Sequence, residues 1–454
     1  MLLKRKIYKK MVEWKNECNG SKAILIEGAR RIGKSTIATE FAKNEYKSHI
    51  VIDFSKGDLE IEDYFKKYIN DLDTFFMMLS THYRVKLEKR NSIIIFDEVQ
   101  MFPRARAAIK HLVADGRYDY IETGSLISIK ENVKDIVIPS EERHIKMYPL
   151  DFEEFSWAMN EELLIEYIKQ CHKEKVPLER SLHNKAMLLF KQYILVGGMP
   201  RPVIAFIENN KDFTICEKEK RDILELYRSD IMKINTQYRN KVLTIFDQIP
   251  GLLSSKEKRV ILKNIQGDAG ASYEKYEETF FWLADSMITN ECFLTSDPNI
   301  GLSLNEIRSY IKCYLSDTGL LVTHAFDENE LLENDVYKQI LNDKLSMNKG
   351  MLYENVIAQM LVANGHKLYF YTNYNKEKHR NDIEIDFLLS NNSKLKYKLF
   401  PIEVKSGKKY TASSLLRFKE KYKDRIGECY IIHPKNLSIK DDIICIPPYM
   451  TFLL

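Results

Sequence analysis

Short apolar runs, each followed by polar or small residues, dominate the first third of the chain. Runs of four to six β-branched and aromatic residues are too short for helices and are typical of strands buried on both faces. We predict five such strands, at 23–26, 49–53, 92–96, 118–125 and 143–147. Helical stretches separate several of them, so the pattern predicts an α/β domain with a parallel sheet that ends before Pro149.

From residue 152 to about 238 the pattern is helical, with mixed charge and few glycines. One sharp break, at Gly197 and Gly198 before Pro200, needs backbone freedom that only glycine provides. We interpret the region as a lid or coupling element that packs on the first domain.

Short helices separated by glycines follow, and the helix predicted at 273–287 precedes a strand-like segment at 291–295. This order is typical of a winged helix. Acidic residues dominate that helix, which contains Glu277, Glu278 and Asp285 but only one lysine. Because acidic residues oppose the approach of phosphates, a structural or protein-docking role is favoured over DNA reading.

The last region combines an amphipathic helix, which begins at 350, with strands predicted at 369–372, 383–389 and 400–405. Residues two apart on a strand share a face, so Glu403 and Lys405 point the same way and Val404 turns into the core. Asp386 and Glu403 are symmetric about the polar turn 391–396, so a hairpin would set these two carboxylates side by side.

At 454 residues the chain is long enough for two to four domains. The patterns predict the four segments 1–150, 151–238, 239–330 and 331–454. Hydrophobic residues make up 44% and charged residues 30%, which supports packed cores, and the net charge of +4 provides no global attraction to nucleic acid.

No apolar run approaches the roughly 18 residues that span a bilayer, and the basic start leads into no signal-peptide core. We therefore expect a cytoplasmic protein with no membrane partner. The seven cysteines are scattered, without a Cys-x-x-Cys pair, so we expect reduced packing residues rather than disulfides or a zinc site.

The first predicted strand leads into Gly-x-x-x-x-Gly-Lys-Ser, and a helix follows. In this context glycines let backbone N–H groups wrap phosphates, Lys34 reaches the β and γ phosphates, and the Ser35 hydroxyl binds Mg²⁺. The alternative, a glycine-containing helix start that binds nothing, is disfavoured by the flanking elements. The predicted ATP-binding residues are Gly28, Arg31, Ile32, Gly33, Lys34, Ser35, Thr36 and Thr123.

Acidic residues end the strand 92–96 at the expected nucleotide crevice. Asp97 would hold Mg²⁺ together with Ser35, and Glu98 would orient or deprotonate the attacking water. Thr123 or Ser125, at the polar tip of the fourth strand, could sense the γ phosphate. With another strand between the two motifs in the sequence, the pattern favours the additional-strand class of P-loop fold.

Four residues of the last region would suit a metal-dependent nuclease: Glu354, Asp386, Glu403 and Lys405. Two facing carboxylates are costly unless a cation lies between them, so Asp386 and Glu403 would bind Mg²⁺. Lys405 would position water or stabilise charge on a phosphodiester. A hairpin that carries surface acids is an equally good explanation of the residues alone.

Basic residues surround this cluster and could form a DNA-binding face, although a solvated helix has the same composition. They are Lys405, Lys408, Lys409, Arg417, Lys419, Lys421, Lys423 and Arg425.

Several motifs together resemble bacterial and archaeal AAA+-type ATPases, and more narrowly an archaeal-ATPase-like group related to signalling ATPases. They are 28–36, 96–100, 123–125, 149–155, 193–200 and 314–321. The resemblance implies a P-loop domain, a winged helix and a C-terminal nuclease-like domain. The last region resembles the PD-(D/E)XK pattern, and so a restriction-endonuclease-like fold, although no proline precedes Asp386.

In these families an arginine often contacts the γ phosphate. The candidates are Arg104, Arg106, Arg143 and Arg228. In these families a glycine often precedes the arginine that corresponds to Arg143, whereas this chain has Glu142 there.

The order of parts favours an ATP-regulated DNA-processing protein. One alternative is a signalling switch in which nucleotide controls assembly and the C-terminal domain only docks DNA or protein. A transcriptional regulator that acts through the winged helix is the third hypothesis. A protein partner or a homo-oligomer is compatible with all three.

Overall fold

The computed structural model describes most of the chain. The described residues are 1–124, 140–234, 236–255, 258–260, 273–299, 301–326, 333–342, 348–375, 380–391, 398–407 and 410–454. They form two compact units. The N-terminal unit contains Lys4–Tyr148 and Asp285–Met287, and the C-terminal unit contains Met1–Leu3, Pro149–Ala284 and Ile288–Leu454. Ser125, Lys408 and Lys409, which the sequence singles out, lie outside the described residues.

The N-terminal unit is built on one parallel sheet of five strands. These strands are β1 (Ala23–Glu27), β2 (Ser48–Asp53), β3 (Ser92–Asp97), β4 (Asp119–Gly124) and β5 (Glu142–Lys146). Their order is β2-β3-β4-β1-β5, and every neighbouring pair is parallel. The described part of this unit therefore contains all five predicted strands, and the predicted α/β fold with a parallel sheet is confirmed.

Strand β4 lies between β1 and β3. Ile121 pairs with Ile24 on one side and with Ile95 on the other. The phosphate-loop strand and the acidic strand are therefore separated, as predicted, while the strand that lies between them in the sequence, β2, forms an edge of the sheet. This order is the additional-strand arrangement.

In the described part of this unit, five helices accompany the sheet: α1 (Ile7–Cys18), α2 (Lys34–Glu45), α3 (Leu59–Lys67), α4 (Leu72–Tyr83) and α5 (Pro103–Asp115). The apolar faces of α3, α4 and α5 pack with β2, β3 and β4 around buried aromatic rings, among them Phe65, Phe75 and Phe96. This core holds the carboxyl ends of β1 and β3 in fixed positions, from which the polar residues of the motifs project.

The C-terminal unit begins with helices, as the pattern of 151–238 predicts. They are α6 (Phe152–Ala158), α7 (Glu162–Glu174), α8 (Arg180–Val196), α9 (Pro200–Glu208), α10 (Phe213–Ile231), α11 (Thr236–Ser254) and α12 (Tyr273–Asp285). The later helices are α13 (Thr318–Ala325), α14 (Asn334–Leu341), α15 (Lys349–Ala363) and α16 (Ser413–Lys421).

Two mixed sheets complete this unit. The first has the order β7-β6-β8-β9 and consists of β6 (Thr289–Thr295), β7 (Glu306–Leu315), β8 (Leu368–Asn375) and β9 (Arg380–Ile385). The second has the order β10-β11-β12-β14-β13 and consists of β10 (Phe387–Asn391), β11 (Lys398–Val404), β12 (Cys429–Ile432), β13 (Ser438–Lys440) and β14 (Ile443–Ile446).

The segment predicted as a separate winged helix shares a sheet with the last region. Strand β6 pairs with β7 antiparallel on one side and with β8 parallel on the other. Backbone hydrogen bonds therefore cross residue 330, and the segments on its two sides belong to one compact unit. A sheet formed by strands far apart in sequence leaves no local signal in the pattern.

The glycine break after α8 contacts a second sequence motif within the same unit. The Gly198 amide donates to Asp317 Oδ2 at 2.5 Å. A Cβ atom on Gly198 would overlap with the Leu150 carbonyl, and one on Gly319 would overlap with the Val196 carbonyl. Close backbone packing therefore explains why these positions are glycine.

The cysteines behave as expected from their spacing, since all seven are free and buried. Within the described ranges, no helix combines the length and the apolar character needed to cross a membrane.

Candidate functional site

The loop between β1 and α2 has the backbone of a phosphate cradle. A Cβ atom on Gly28 would overlap with the Met147 carbonyl, so only glycine fits there. Arg31 and Gly33 both have left-handed backbones, with φ of 67° and 92°. Gly33 caps α2, whose first residue is Lys34, so the positive end of the helix dipole faces the loop.

Lys34 is buried and lies against its own loop. Its Nζ donates to the carbonyl oxygens of Gly28 and Ala29, both at 2.9 Å. Burial lowers the pKa of Lys34 to about 8, and the carboxylates of Glu98 and Asp97 oppose this shift. An ammonium group held by two carbonyls can exchange those bonds for phosphate oxygens, which are stronger acceptors because they carry charge.

Two hydroxyl groups converge on one carboxylate oxygen at the sheet edge. Ser35 Oγ donates to Asp97 Oδ1 at 2.6 Å, and Thr123 Oγ1 donates to the same oxygen. The three side chains come from α2, β3 and β4, so the inserted position of β4 brings Thr123 here. This set of hard oxygen donors suits Mg²⁺, and Ser35 with Asp97 would hold it.

Glu98 follows directly and has a strained backbone. Its φ is 54°, which is left-handed and costs a non-glycine residue about 1–3 kcal/mol. The Glu98 carboxylate accepts a hydrogen bond from Gln100 Nε2, and its amide donates to Thr123 Oγ1 at 3.4 Å. Strain of this kind is concentrated at functional sites, where it aims a side chain. Sequence analysis had given Gln100 no role.

The other predicted nucleotide contacts lie along the same loop. Ile32 is fully buried and anchors the loop, whereas Arg31 and Thr36 are exposed. Arg5, which precedes α1, donates from Nη1 to the Ile32 carbonyl at 2.9 Å and so helps to hold the loop in place. Sequence patterns gave no signal for Arg5, because it precedes the motif by more than twenty residues.

A buried ionic network lies beside the phosphate loop. His144 Nδ1 lies 2.9 Å from Glu27 Oε1, and its Nε2 lies 3.4 Å from Glu142 Oε2. Arg106, from α5, contacts Glu142 at 3.0 Å and lies 3.9 Å from Glu122. Hydrogen bonds to Glu142 and Glu27 raise the pKa of His144 to about 9. Glu27 is the residue just before the loop, so this network fixes the loop's first position.

The same network excludes one of the candidate arginines. Arg106 is buried and held by Glu142, so it is not available to a γ phosphate. Arg143 pairs with Glu17 at 2.7 Å, and Arg228 pairs with Asp247 at 3.3 Å. Arg104, the second residue of α5, is exposed and keeps its place as a candidate.

The second predicted site has the hairpin register that the sequence predicts. Phe387 pairs with Ile402 in the antiparallel ladder of β10 and β11, which sets Asp386 opposite Glu403. Asp386 Oδ2 accepts the Val404 amide at 2.8 Å. Lys405 lies two residues after Glu403, and its Nζ is 2.9 Å from Glu403 Oε2. The two side chains therefore share a face, as predicted.

Lysines that the sequence did not single out contact these carboxylates. Glu354 is 3% exposed and bonded to Lys258 Nζ. Lys312 Nζ, on β7, lies 3.6 Å from Glu354 and 3.9 Å from Asp386. Burial lowers the pKa of Lys312, but the two carboxylates outweigh burial and raise it overall. Three carboxylates are thus matched by Lys258, Lys312 and Lys405.

This arrangement corrects the expected environment of Glu354. The sequence placed it off the buried stripe of its helix and available for function, but α15 is buried on all sides from Met351 to Leu361. Tyr314 also donates to Glu354, at 3.1 Å. Burial, together with the charge of Glu354, raises the pKa of Asp386 to about 7. Within the described ranges no group of three acidic, histidine or cysteine residues is placed to hold a metal.

Most of the predicted basic face is engaged in contacts within the C-terminal unit. Arg417 donates to the Asp382 carbonyl at 2.9 Å, Lys421 to Tyr371 at 3.2 Å, and Arg425 to Asp297 at 2.8 Å. These side chains stabilise their own unit, which reduces what they can offer to DNA.

Three family models match separate parts of the chain. Residues 20–156 match the family model of an AAA domain. An AAA-type P-loop ATPase domain is therefore supported for this part of the chain. Residues 187–330 and 349–451 match two further family models, each described as a domain of unknown function, DUF8612 and DUF4143. No curated protein matches the sequence.

Solved structures that match parts of this chain include ATPases. A Walker-type ATPase of Pyrococcus abyssi is 14% identical, with a TM-score of 0.41, over 71% of this chain and 96% of its own. The RuvB Holliday junction branch migration motor of Thermotoga maritima is 16% identical, with a TM-score of 0.28, over 63% and 89%. A signal transduction ATPase with numerous domains and a tetratricopeptide repeat sensor, from Pyrococcus horikoshii, is 14% identical, with a TM-score of 0.27, over 79% and 48%.

In the AAA-type domain, the residues that sequence analysis missed are those that act on another functional residue. Gln100 contacts Glu98, and His144 contacts Glu27. Gln100 lies in the motif 96–100, but the motif alone does not show its contact with Glu98, and His144 lies in none of the motifs. The one available signal was position, because Gln100 lies two residues after the acidic pair and His144 lies on a predicted strand.

Proposed function

We propose that this chain is a Mg²⁺-dependent ATPase whose nucleotide state controls a C-terminal binding module that does not cleave nucleic acid. The observation that carries the ATPase part is the convergence of Ser35 and Thr123 on one oxygen of Asp97, beside the phosphate loop. An AAA-type domain over residues 20–156 supports the same activity.

Each side chain has a task in hydrolysis. Lys34 gives up its bonds to the Gly28 and Ala29 carbonyls and binds the β and γ phosphates. Ser35 and Asp97 would hold Mg²⁺, which would neutralise part of the negative charge of the phosphates. Glu98, held by Gln100, orients or deprotonates the attacking water, and Thr123 links Asp97 to the Glu98 backbone. Thr123 can thereby respond to the loss of the γ phosphate.

Phosphate release by the full chain tests this assignment. Glu98→Gln keeps the size of the side chain and its contact with Gln100 but removes the base, so ATP should still bind while turnover falls by about 10²- to 10⁴-fold. Gln100→Ala is the matched variant for orientation and should lower turnover less. Full turnover by Glu98→Gln would exclude Glu98 as the water-activating residue.

The charge balance of the C-terminal cluster supports a binding module rather than a nuclease. Lys258, Lys312 and Lys405 neutralise Glu354, Asp386 and Glu403. A divalent ion would have to displace lysines that are themselves buried or half-buried, and removing one partner of a buried ion pair is costly. The module in this proposal therefore binds its target without a metal.

A nuclease is the second candidate, and the hairpin register favours it. Asp386 opposite Glu403, with Lys405 two residues on, is the arrangement that such an enzyme requires. Plasmid incubated with Mg²⁺ or Mn²⁺ and ATP separates the candidates. Absence of nicking by the parent chain supports the binding module, whereas nicking that is lost in both Asp386→Ala and Lys405→Ala establishes the nuclease. Nicking that persists in both variants indicates a contaminant.

A further inference from the structure

A pocket of about 360 Å³ opens beside the C-terminal carboxylate cluster. The described residues that line it come from three parts of the chain. They are Lys258, Gly350 and six residues at the end of β11 and after it, namely Val404 to Gly407, Tyr410 and Thr411. Pockets of this size are within the range that accommodates small ligands.

The charged residues of the lining are both cationic. The carboxylates that pair with them are covered, since Glu354 is 3% exposed and Glu403 is 1% exposed. Lys405, in contrast, is half-exposed. An ammonium group has three N–H donors, and each pair uses one of them, so both lysines retain donors for a ligand.

The neutral groups of the lining add to this preference. Ser406 and Thr411 carry hydroxyl groups that can donate to an oxyanion, whereas the Tyr410 hydroxyl donates to Cys445 Sγ at 3.4 Å. Helix α16 begins at Ser413, two residues after Thr411 in the sequence, and its N-terminus carries the positive end of the helix dipole. Among the described residues that line the pocket, hydroxyl and ammonium groups are present and no carboxylate is, a combination that matches the oxygens of a phosphate.

We propose that this pocket binds a phosphate group, carried by a nucleotide or by the end of a nucleic-acid strand. The inference deepens the proposed binding module and rests on it, since it names the chemistry that the module recognises. The lysines serve both as counter-ions of the buried carboxylates and as phosphate ligands.

The structure offers two kinds of variant that act on the pocket differently. Lys258→Met removes a charge and keeps the length of the side chain. Gly350→Leu fills space, because a Cβ on Gly350 lies 3.6 Å from Lys258 Nζ. Gly350 is the second residue of α15, and leucine favours a helix more than glycine does, so this variant should fold. Lys440→Met, on exposed strand β13, is the matched charge control.

Binding is measured on the full chain that carries Lys34→Ala, so that the phosphate loop does not contribute. The probes are inorganic phosphate, a deoxynucleoside monophosphate, and one oligonucleotide with either a 5′-phosphate or a 5′-hydroxyl end. We expect the phosphorylated probes to bind, and Lys258→Met and Gly350→Leu each to weaken binding by about tenfold or more, while Lys440→Met leaves it unchanged. A preference for the phosphorylated oligonucleotide over the monophosphate assigns the ligand to strand ends, and the reverse assigns it to nucleotides.

Absence of phosphate binding, or binding that both pocket variants leave intact, would overturn the proposal. If Lys258→Met fails to fold, Gly350→Leu alone decides, because it keeps every charge. Cleavage of the oligonucleotide in Mg²⁺ would refute the non-cleaving module while leaving the pocket intact, and the absence of both cleavage and binding would refute the pocket alone.

Discussion

At the scale of single residues, the candidate nucleotide site joins a contiguous motif to supporting side chains from other parts of the N-terminal unit. Gly28 to Thr36 form one uninterrupted motif, and Asp97 with Glu98 ends a recognisable strand. The supporting residues could not be predicted, since Arg5, Gln100 and His144 act through contacts that exist only in the folded sheet. For the same reason the sequence could not indicate that Lys258 and Lys312 pair with Glu354.

His144 is expected to make the N-terminal unit pH-dependent. Its pKa rises from 6.5 to about 9 on folding because Glu142 and Glu27 bind the imidazolium. A raised pKa means that the contribution to stability is complete below pH 6.5 and is lost as the pH rises through 9. His144 is half-exposed, so salt should weaken the effect.

The imidazole titration, followed by NMR, checks the pKa directly. The unfolding temperature of the parent should fall as the pH rises from 6.5 to about 9. In His144→Gln the part of this fall that the imidazole causes should be absent. An imidazole that titrates near 6.5 would contradict the proposed ion pairs with Glu27 and Glu142.

At the scale of elements, the sequence predicts what depends on local periodicity. The five strands of the first sheet follow from short apolar runs, and the register of β10 with β11 follows from the symmetry of Asp386 and Glu403 about the turn 391–396. The pairing of β6 with β8 does not, because it joins strands about seventy residues apart. The glycine break after α8 was recognised as special, but its partner, Asp317, could be found only in the fold.

Gly198→Ala should destabilise the C-terminal unit. The added Cβ would overlap with the Leu150 carbonyl, and backbone cannot move away as a flexible side chain can. We expect a loss of about 1–3 kcal/mol in the free energy of unfolding. Chemical denaturation of the full chain measures it through the transition of that unit.

Gly251→Ala is the matched control for this substitution. It lies inside α11 with no atom within 4 Å of the added Cβ, so alanine should be neutral or stabilise the helix by up to about 1 kcal/mol. Equal effects of the two substitutions would show that backbone packing at Gly198 is not the reason for its glycine.

At the scale of the whole molecule, the C-terminal unit is held together by charges contributed from distant parts of the chain. Lys312 lies on β7, Glu354 on α15, and Asp386 just before β10. The first of these strands belongs to one mixed sheet and the last to the other, so this ionic cluster connects the two sheets.

Lys312→Met should therefore be severely destabilising. It would leave Glu354 and Asp386 buried with one counter-ion fewer, and breaking a buried pair costs about 3–5 kcal/mol. Lys440→Met, at an exposed position, should change stability by less than about 0.5 kcal/mol. Differential scanning fluorimetry compares the three proteins.

Differential scanning fluorimetry also tests whether lysines alone neutralise Glu354, Asp386 and Glu403. EDTA or added Mg²⁺ should leave the unfolding temperature of the C-terminal unit unchanged in the absence of nucleotide, because lysines already balance the carboxylates. Stabilisation of that unit by Mg²⁺ that is lost in Asp386→Ala would contradict this account and favour the nuclease.

The central claim, that the glycine loop before α2 binds a triphosphate, is tested most directly by calorimetric titration of the full chain with Mg²⁺ and ATP. The parent should bind ATP, and Lys34→Ala should weaken its tightest binding by about 10²-fold or more, since it removes the charged donor for two phosphates. Equal affinity of the two proteins for ATP, or no binding by a well-folded parent, would contradict the account.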